Sequence, residues 1–142
     1  MACPSNQTTN RYTTNPPATL TNLAIQWNLF GLKGRLAELQ LLISQYNPLI
    51  IALQETLSPK SKLPSNYIKG YTLYIHENSS NPNINGVAIA VNSEFPHRKL
   101  SISTPLQAIA IEIDFPIKVT IISICLLSSI NTHRLSKELR VL

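Results

Sequence analysis

The chain has 142 residues, 44% of them hydrophobic and 13% charged, with 12 Lys and Arg against 7 Asp and Glu for a formal net charge of +5. That is one domain's worth of sequence on the apolar, low-charge side of globular usage, and its basic balance suits a polyanionic partner without requiring one. Cys3 and Cys125 form neither a disulfide framework nor a zinc spacing. The N terminus lacks the basic-then-apolar order of a secretory signal, and the longest apolar runs, such as VTIISICLL, are too short to span a bilayer. An intracellular protein, nuclear or cytoplasmic, not secreted and with no membrane partner, is the expectation.

Residues 1–22 are rich in Thr, Asn and Pro, with Arg11 alone charged and no apolar periodicity. They read as a flexible tail ahead of a domain over 23–142. LAIQWN, ending at Asn28, is an apolar run followed by Gly31 and Gly34, and predicts a buried strand. A helix follows, because Leu36, Leu39, Ile43 and Tyr46 recur at steps of three and four. Asn47-Pro48 ends it, since the residue before proline is driven from helical geometry. LIIAL at 49–53 is branched, short and apolar, and predicts a second buried strand.

Farther along, YTLYIH at 71–76 and GVAIAV at 86–91 predict an antiparallel pair joined by a long Asn-, Ser- and Pro-rich loop. LQAIAIEID at 106–114 alternates, Phe115-Pro116 interrupts it, and KVTIISICLL from Lys118 is expected to pair with it. NTHRLSKELRVL at the end reads as a capped helix. His76, His97 and His133 read as solvated surface residues, and Glu112 and Asp114 as solvent-facing carboxylates.

A strand, helix, strand series with short connections is a βαβ unit, whose strands run parallel and point their C-terminal ends to one edge. Asn28 and Glu55 therefore emerge together, on the edge where open α/β sheets bind ligands. An amide and a carboxylate there offer hard oxygens suited to Mg²⁺, with water and phosphate completing the coordination. The plainer alternative is two strands that end in polar residues where they reach solvent. Gln54 is expected to orient its neighbours or to pack against the loop, Trp27 to join the core, and Cys125, within an aliphatic run, to be a small buried residue. Lys33, Arg35, Lys60 and Lys62 stand near the same edge, as phosphate contacts or as solubilising charges.

Taken together, Trp27-Asn28 followed by Gly31, the amphipathic helix, Asn47-Pro48, and an aliphatic strand closing on Leu53-Gln54-Glu55-Thr56 resemble the start of the endonuclease/exonuclease/phosphatase family, most of all the apurinic-type endonuclease domains of non-LTR retrotransposons. GVAIAVN looks like the family's Gly-rich strand, and LQAIAIEIDFPIKVTIISIC like the hairpin after it, so the likeness covers residues 23–139.

The resemblance implies an α/β fold: an incomplete endonuclease/exonuclease/phosphatase-type sandwich, a mixed sheet with flanking helices. It implies an N-terminal part of a metal-dependent DNA endonuclease, with Mg²⁺ or Mn²⁺ as cofactor, no small-molecule cofactor, and DNA as partner. Asn28 and Glu55 take the metal and phosphate roles. Cys125 stands where the family has a tyrosine facing the scissile phosphate, Leu127-Ser128 replace its prolines, and the later Asp-x-Asn and Ser-Asp-His motifs do not occur. Little or no activity is therefore expected of this chain alone, together with self-association through an uncovered sheet face. The competing readings are an inositol or lipid phosphatase fragment and a non-catalytic nucleic-acid-binding or interaction remnant.

Overall fold

A computed structural model describes residues 21–58, 63–76, 86–114 and 117–125. Strand β1 (Thr21–Asn28), helix α1 (Leu32–Tyr46) and strand β2 (Pro48–Gln54) form the anticipated unit, with β1 starting at Thr21 rather than Leu23. The two strands are parallel, and Asn28 lies opposite Gln54. Leu32 and Leu39 of α1 are buried, and Leu36 and Ile43 pack half-buried beside them. Tyr46, on the same stripe by spacing, is instead 46% exposed. It is the last helical residue, and the chain departs there: Asn47 takes the left-handed conformation (φ 41) and donates its N–H to Ile43 O at 2.8 Å. Pro48 then opens β2, a strand position where a missing N–H is tolerated.

Strands β3 (Tyr71–His76) and β4 (Val87–Asn92) pair antiparallel as predicted. Their sheet has the order β1-β2-β4-β3, so β4 sits against β2 as well. A second sheet contains β5 (His97–Leu100), β6 (Gln107–Asp114) and β7 (Lys118–Cys125), with β6 in the middle. The strand β5 has no signal in HRKL itself. It is a short charged edge, the kind that resists pairing with other chains, and its Arg98 reaches across to Glu112 at 2.8 Å. Lys118 approaches the same carboxylate at 3.6 Å. Glu112 is thus an ion-pair hub rather than a plain solvated carboxylate, and the Arg98 hydrogen bond holds its carboxyl below the usual range.

Because alternate residues of a strand face opposite sides, β2 feeds two cores. Ile51 and Leu53 join Leu29, Leu32, Leu39, Ile68, Leu73 and Ile75 under the helix. Ile50, with Ile89 and Val91, meets Ile109, Ile111 and Ile113 of β6 between the sheets. A strand buried on both faces reads as an unbroken apolar run, which is why LIIAL shows no alternation. The expected bare face on the first sheet is absent among the described residues, because β6 supplies its cover. Exposed apolar surface appears instead on the far side of the second sheet, where Ile122 is 52% exposed.

Tyr71 ties edge strand β3 to the start of β2. Its buried hydroxyl donates to Pro48 O at 2.5 Å, and burial pushes its phenol up from 10.0 to about 12. Below the unfolded value the phenol is neutral in both states, so its contribution is complete; between 10.0 and about 12 the unfolded chain ionises first and stability falls. Tyr71→Phe is expected to cost about 1 kcal/mol at neutral pH and to make the alkaline decline shallower. Urea midpoints measured on both sides of that window check it; parallel declines would refute the assignment.

Candidate active site

Past their last paired residues, β1 and β2 remain joined through the main chain. Leu29 N–H donates to Gln54 O at 3.0 Å, Gly31 N–H to Glu55 O at 2.8 Å, and Leu32 N–H to Thr56 O at 2.9 Å. Thr56 N–H reaches Gly86 O, ahead of β4, at 3.4 Å. Within this zipper Phe30 (φ 51), Glu55 (φ 52) and Leu57 (φ 48) adopt left-handed backbone. That conformation costs a non-glycine residue of order 1–2 kcal/mol and persists where surrounding bonds over-determine it.

The kink at Glu55 has a chemical result. It interrupts the alternation of β2 and brings the carboxylate to Asn28, whose Nδ2 donates to Glu55 Oε1 at 3.0 Å. Asn28 is exposed and Glu55 half-buried, so the pair is open to solvent.

Gln54 bridges the two sheets. Its Nε2 donates to Ser123 Oγ at 2.9 Å, and its Oε1 accepts from Gln26 Nε2 at 3.4 Å. Ser123 is buried on β7, opposite Ile109. A second tie runs from Gly86 N–H to Gln107 Oε1 at 3.1 Å. The orienting role read for Gln54 thus has a physical form. Ser123 and Gln107 were not singled out from sequence, although their signal is visible: each is a polar residue on the inward face of an aliphatic alternation.

Cys125 lies opposite Gln107 and is half-buried rather than a core residue. Burial, and then the negative charge of Glu55, push its thiol above the usual value. The end of β7 is therefore close enough to Glu55 to feel its field. Trp27 packs against the core under the helix, as expected.

Of the histidines, His97 is not simply solvated: its Nδ1 lies 2.6 Å from Phe95 O and its ring meets Tyr74 edge-on at 5.7 Å. His76 is half-buried, and His133 lies outside the described residues, as do Lys60 and Lys62. Lys33 and Arg35 are exposed, Arg35 holding Glu38 at 2.7 Å. An open cavity of about 460 Å³ is lined by Pro96, His97, Arg98, Glu112, Asp114 and Lys118. It lies toward the Asp114–Lys118 end of the β6–β7 pair, whereas Gln107 and Cys125 mark the end beside Glu55.

Among the described residues no three His, Cys, Asp or Glu side chains cluster as a metal cage. What the edge does offer is one carboxylate and one amide, hard oxygen donors of the sort that bind Mg²⁺ while leaving positions for water and phosphate.

A parallel βαβ unit with an amide and a carboxylate at its edge, backed by a second sheet, is an α/β sandwich. The chain belongs to the endonuclease/exonuclease/phosphatase family, whose sequence model matches residues 25–126. Among solved structures it is similar to a 3'-5' exonuclease (NExo) from Neisseria meningitidis, at 23% identity and a TM-score of 0.59 over 82% of this chain and 48% of that one. It is also similar to the endonuclease domain of TRAS1, a telomere-specific non-LTR retrotransposon, at 16% identity and a TM-score of 0.61 over 82% of this chain and 52% of that one. An AP endonuclease from Leishmania major aligns at 15% identity and a TM-score of 0.58, over 80% of this chain and 43% of that one. Such likenesses establish the fold, and the chain spans about half the length of these structures. No curated protein sequence matches it.

Proposed function

We propose that the chain is the N-terminal part of a Mg²⁺-dependent DNA endonuclease domain, a phosphodiesterase of a retrotransposon-like element, with little or no turnover by itself. The observation that carries this reading is the 3.0 Å hydrogen bond from Asn28 to Glu55 at the shared end of two parallel strands. Glu55 is the anionic metal ligand. Asn28 orients that carboxylate and would offer its side-chain amide to the metal or to the phosphate. A bound Mg²⁺ or Mn²⁺ supplies Lewis-acid charge at the phosphoryl oxygen. The low turnover follows from chemistry not found in these 142 residues: Cys125 cannot extend a phenolic hydroxyl toward a phosphate, and the Asp-x-Asn and Ser-Asp-His motifs are absent.

Titration with Mn²⁺, followed by water-proton relaxation, tests the reading. Saturable binding that Glu55→Gln removes is expected, and equal binding by both proteins discards it. Self-association belongs to the same proposal, supported by the exposed Ile122 on the outer face of the second sheet. Sedimentation equilibrium is expected to give a mass that rises with concentration; a monomer across the whole range would remove this part alone.

A further inference from the structure

One residue at the site edge has no part in the chemistry above. Phe30 is 77% exposed, the most exposed of the large hydrophobic side chains in the described residues. It lies two positions after Asn28, between Leu29 and Gly31, in left-handed backbone (φ 51). Leu29 and Leu32 on either side are buried, at 2% and 0% exposure. The segment therefore has an apolar core within reach, and Phe30 is turned away from it. Two main-chain bonds hold that orientation: Leu29 N–H to Gln54 O before it, and Gly31 N–H to Glu55 O after it. A bulky residue with positive φ is a genuine outlier.

The charge beside it is positive. Lys33 and Arg35 are exposed directly afterwards, Arg35 ion-paired with Glu38 at 2.7 Å, and the first turn of α1 contains no acidic residue. An exposed aromatic face flanked by cations matches one ligand chemistry, a nucleobase attached to its phosphate. Trp27 does not compete for this role, since it packs in the core.

We propose that Phe30 is a stacking platform for an unpaired DNA base next to the phosphate addressed by Asn28 and Glu55. This rests on the nucleic-acid substrate of the preceding section. It does not require the metal or any turnover, so it can be tested in EDTA.

The experiment measures binding of the full chain to two oligonucleotide probes at low salt, by fluorescence anisotropy. One is a duplex with a single bulged 2-aminopurine, and the other is the same duplex fully paired. Phe30→Ala is expected to weaken binding to the bulged probe about tenfold, the scale of one base–aromatic stack, and to abolish 2-aminopurine quenching. The paired duplex should bind as before with an unchanged salt slope, and Phe30→Tyr should restore the bulged probe.

Equal losses on both probes, no loss on either, or no binding by the wild type would each overturn the proposal. So would a Phe30→Ala effect confined to sedimentation, which would assign the ring to a contact between copies of the chain. Glu55→Gln run alongside keeps the two readings apart: loss of the Mn²⁺ site with intact quenching leaves both standing, whereas intact Mn²⁺ binding by that variant with intact quenching discards the endonuclease reading and leaves the base-stacking role of Phe30.

Discussion

In a protein carrying Glu55→Gln, Mn²⁺ affinity is expected to fall by about 100-fold or more while Cys125 reacts faster with iodoacetamide. The first effect follows from replacing an anionic ligand with a neutral one. Because glutamine keeps an acceptor oxygen for Asn28 Nδ2, now 3.0 Å from the carboxylate, the loss reports charge rather than misfolding. The second effect has an independent cause. The charge on Glu55 helps raise the Cys125 thiol, the thiolate is the reactive form, and removing that charge raises the thiolate fraction at a given pH. Cys3→Ser provides a background in which only Cys125 is labelled. Asn28→Ala should reduce Mn²⁺ affinity less, by roughly 10- to 100-fold, as loss of an orienting partner does. A Glu55→Gln protein with unchanged Cys125 kinetics would contradict the placement of β7 beside the site.

Gly86→Ala is expected to be the most damaging of the glycine-to-alanine changes in the chain. A Cβ at Gly86 would overlap Thr56 Oγ1, and the residue has φ +94. Thr56 is fully buried and β-branched, and its hydroxyl has no hydrogen-bond partner within the described residues. It cannot yield by swinging into solvent. Overpacking of this kind costs about 1–3 kcal/mol, and left-handed backbone on alanine adds about 1–2 kcal/mol. A loss of about 3 kcal/mol, read from urea unfolding, is the central expectation. Adding Thr56→Ala should recover the overpacking part and leave the backbone part. A double variant no more stable than Gly86→Ala would show that the contact with Thr56 is not the cause.

The strand–helix–strand unit was legible because its signals are local: two aliphatic runs, a three-and-four spacing, and Asn47-Pro48 as a stop. From that unit topology placed Asn28 and Glu55 at one edge, while the hydrogen bond between them also needs the left-handed kink at Glu55. What stayed hidden depends on partners distant in sequence. The strand β5 exists because β6 pairs with it, and HRKL carries no apolar pattern of its own. Tyr46 fits the helical stripe, yet it falls where the helix has already left the sheet. The positive φ at Phe30 and Glu55 comes from bonds between two loops, so no propensity of Phe or Glu predicts it. Cys125 looked like core because its neighbours are aliphatic, and only the pairing of β7 with β6 brings it to the edge beside Glu55.

The zipper between residues 29–32 and 54–56 is made of amide and carbonyl groups that nearly every amino acid possesses. Solvent-exposed side chains along these loops, such as Phe30, can therefore be exchanged without unseating the frame that presents them. A lineage released from selection for cutting would lose reactive groups one at a time while the scaffold endured. Conversely, a scaffold kept by its main chain is one onto which lost chemistry can be grafted back by a few substitutions.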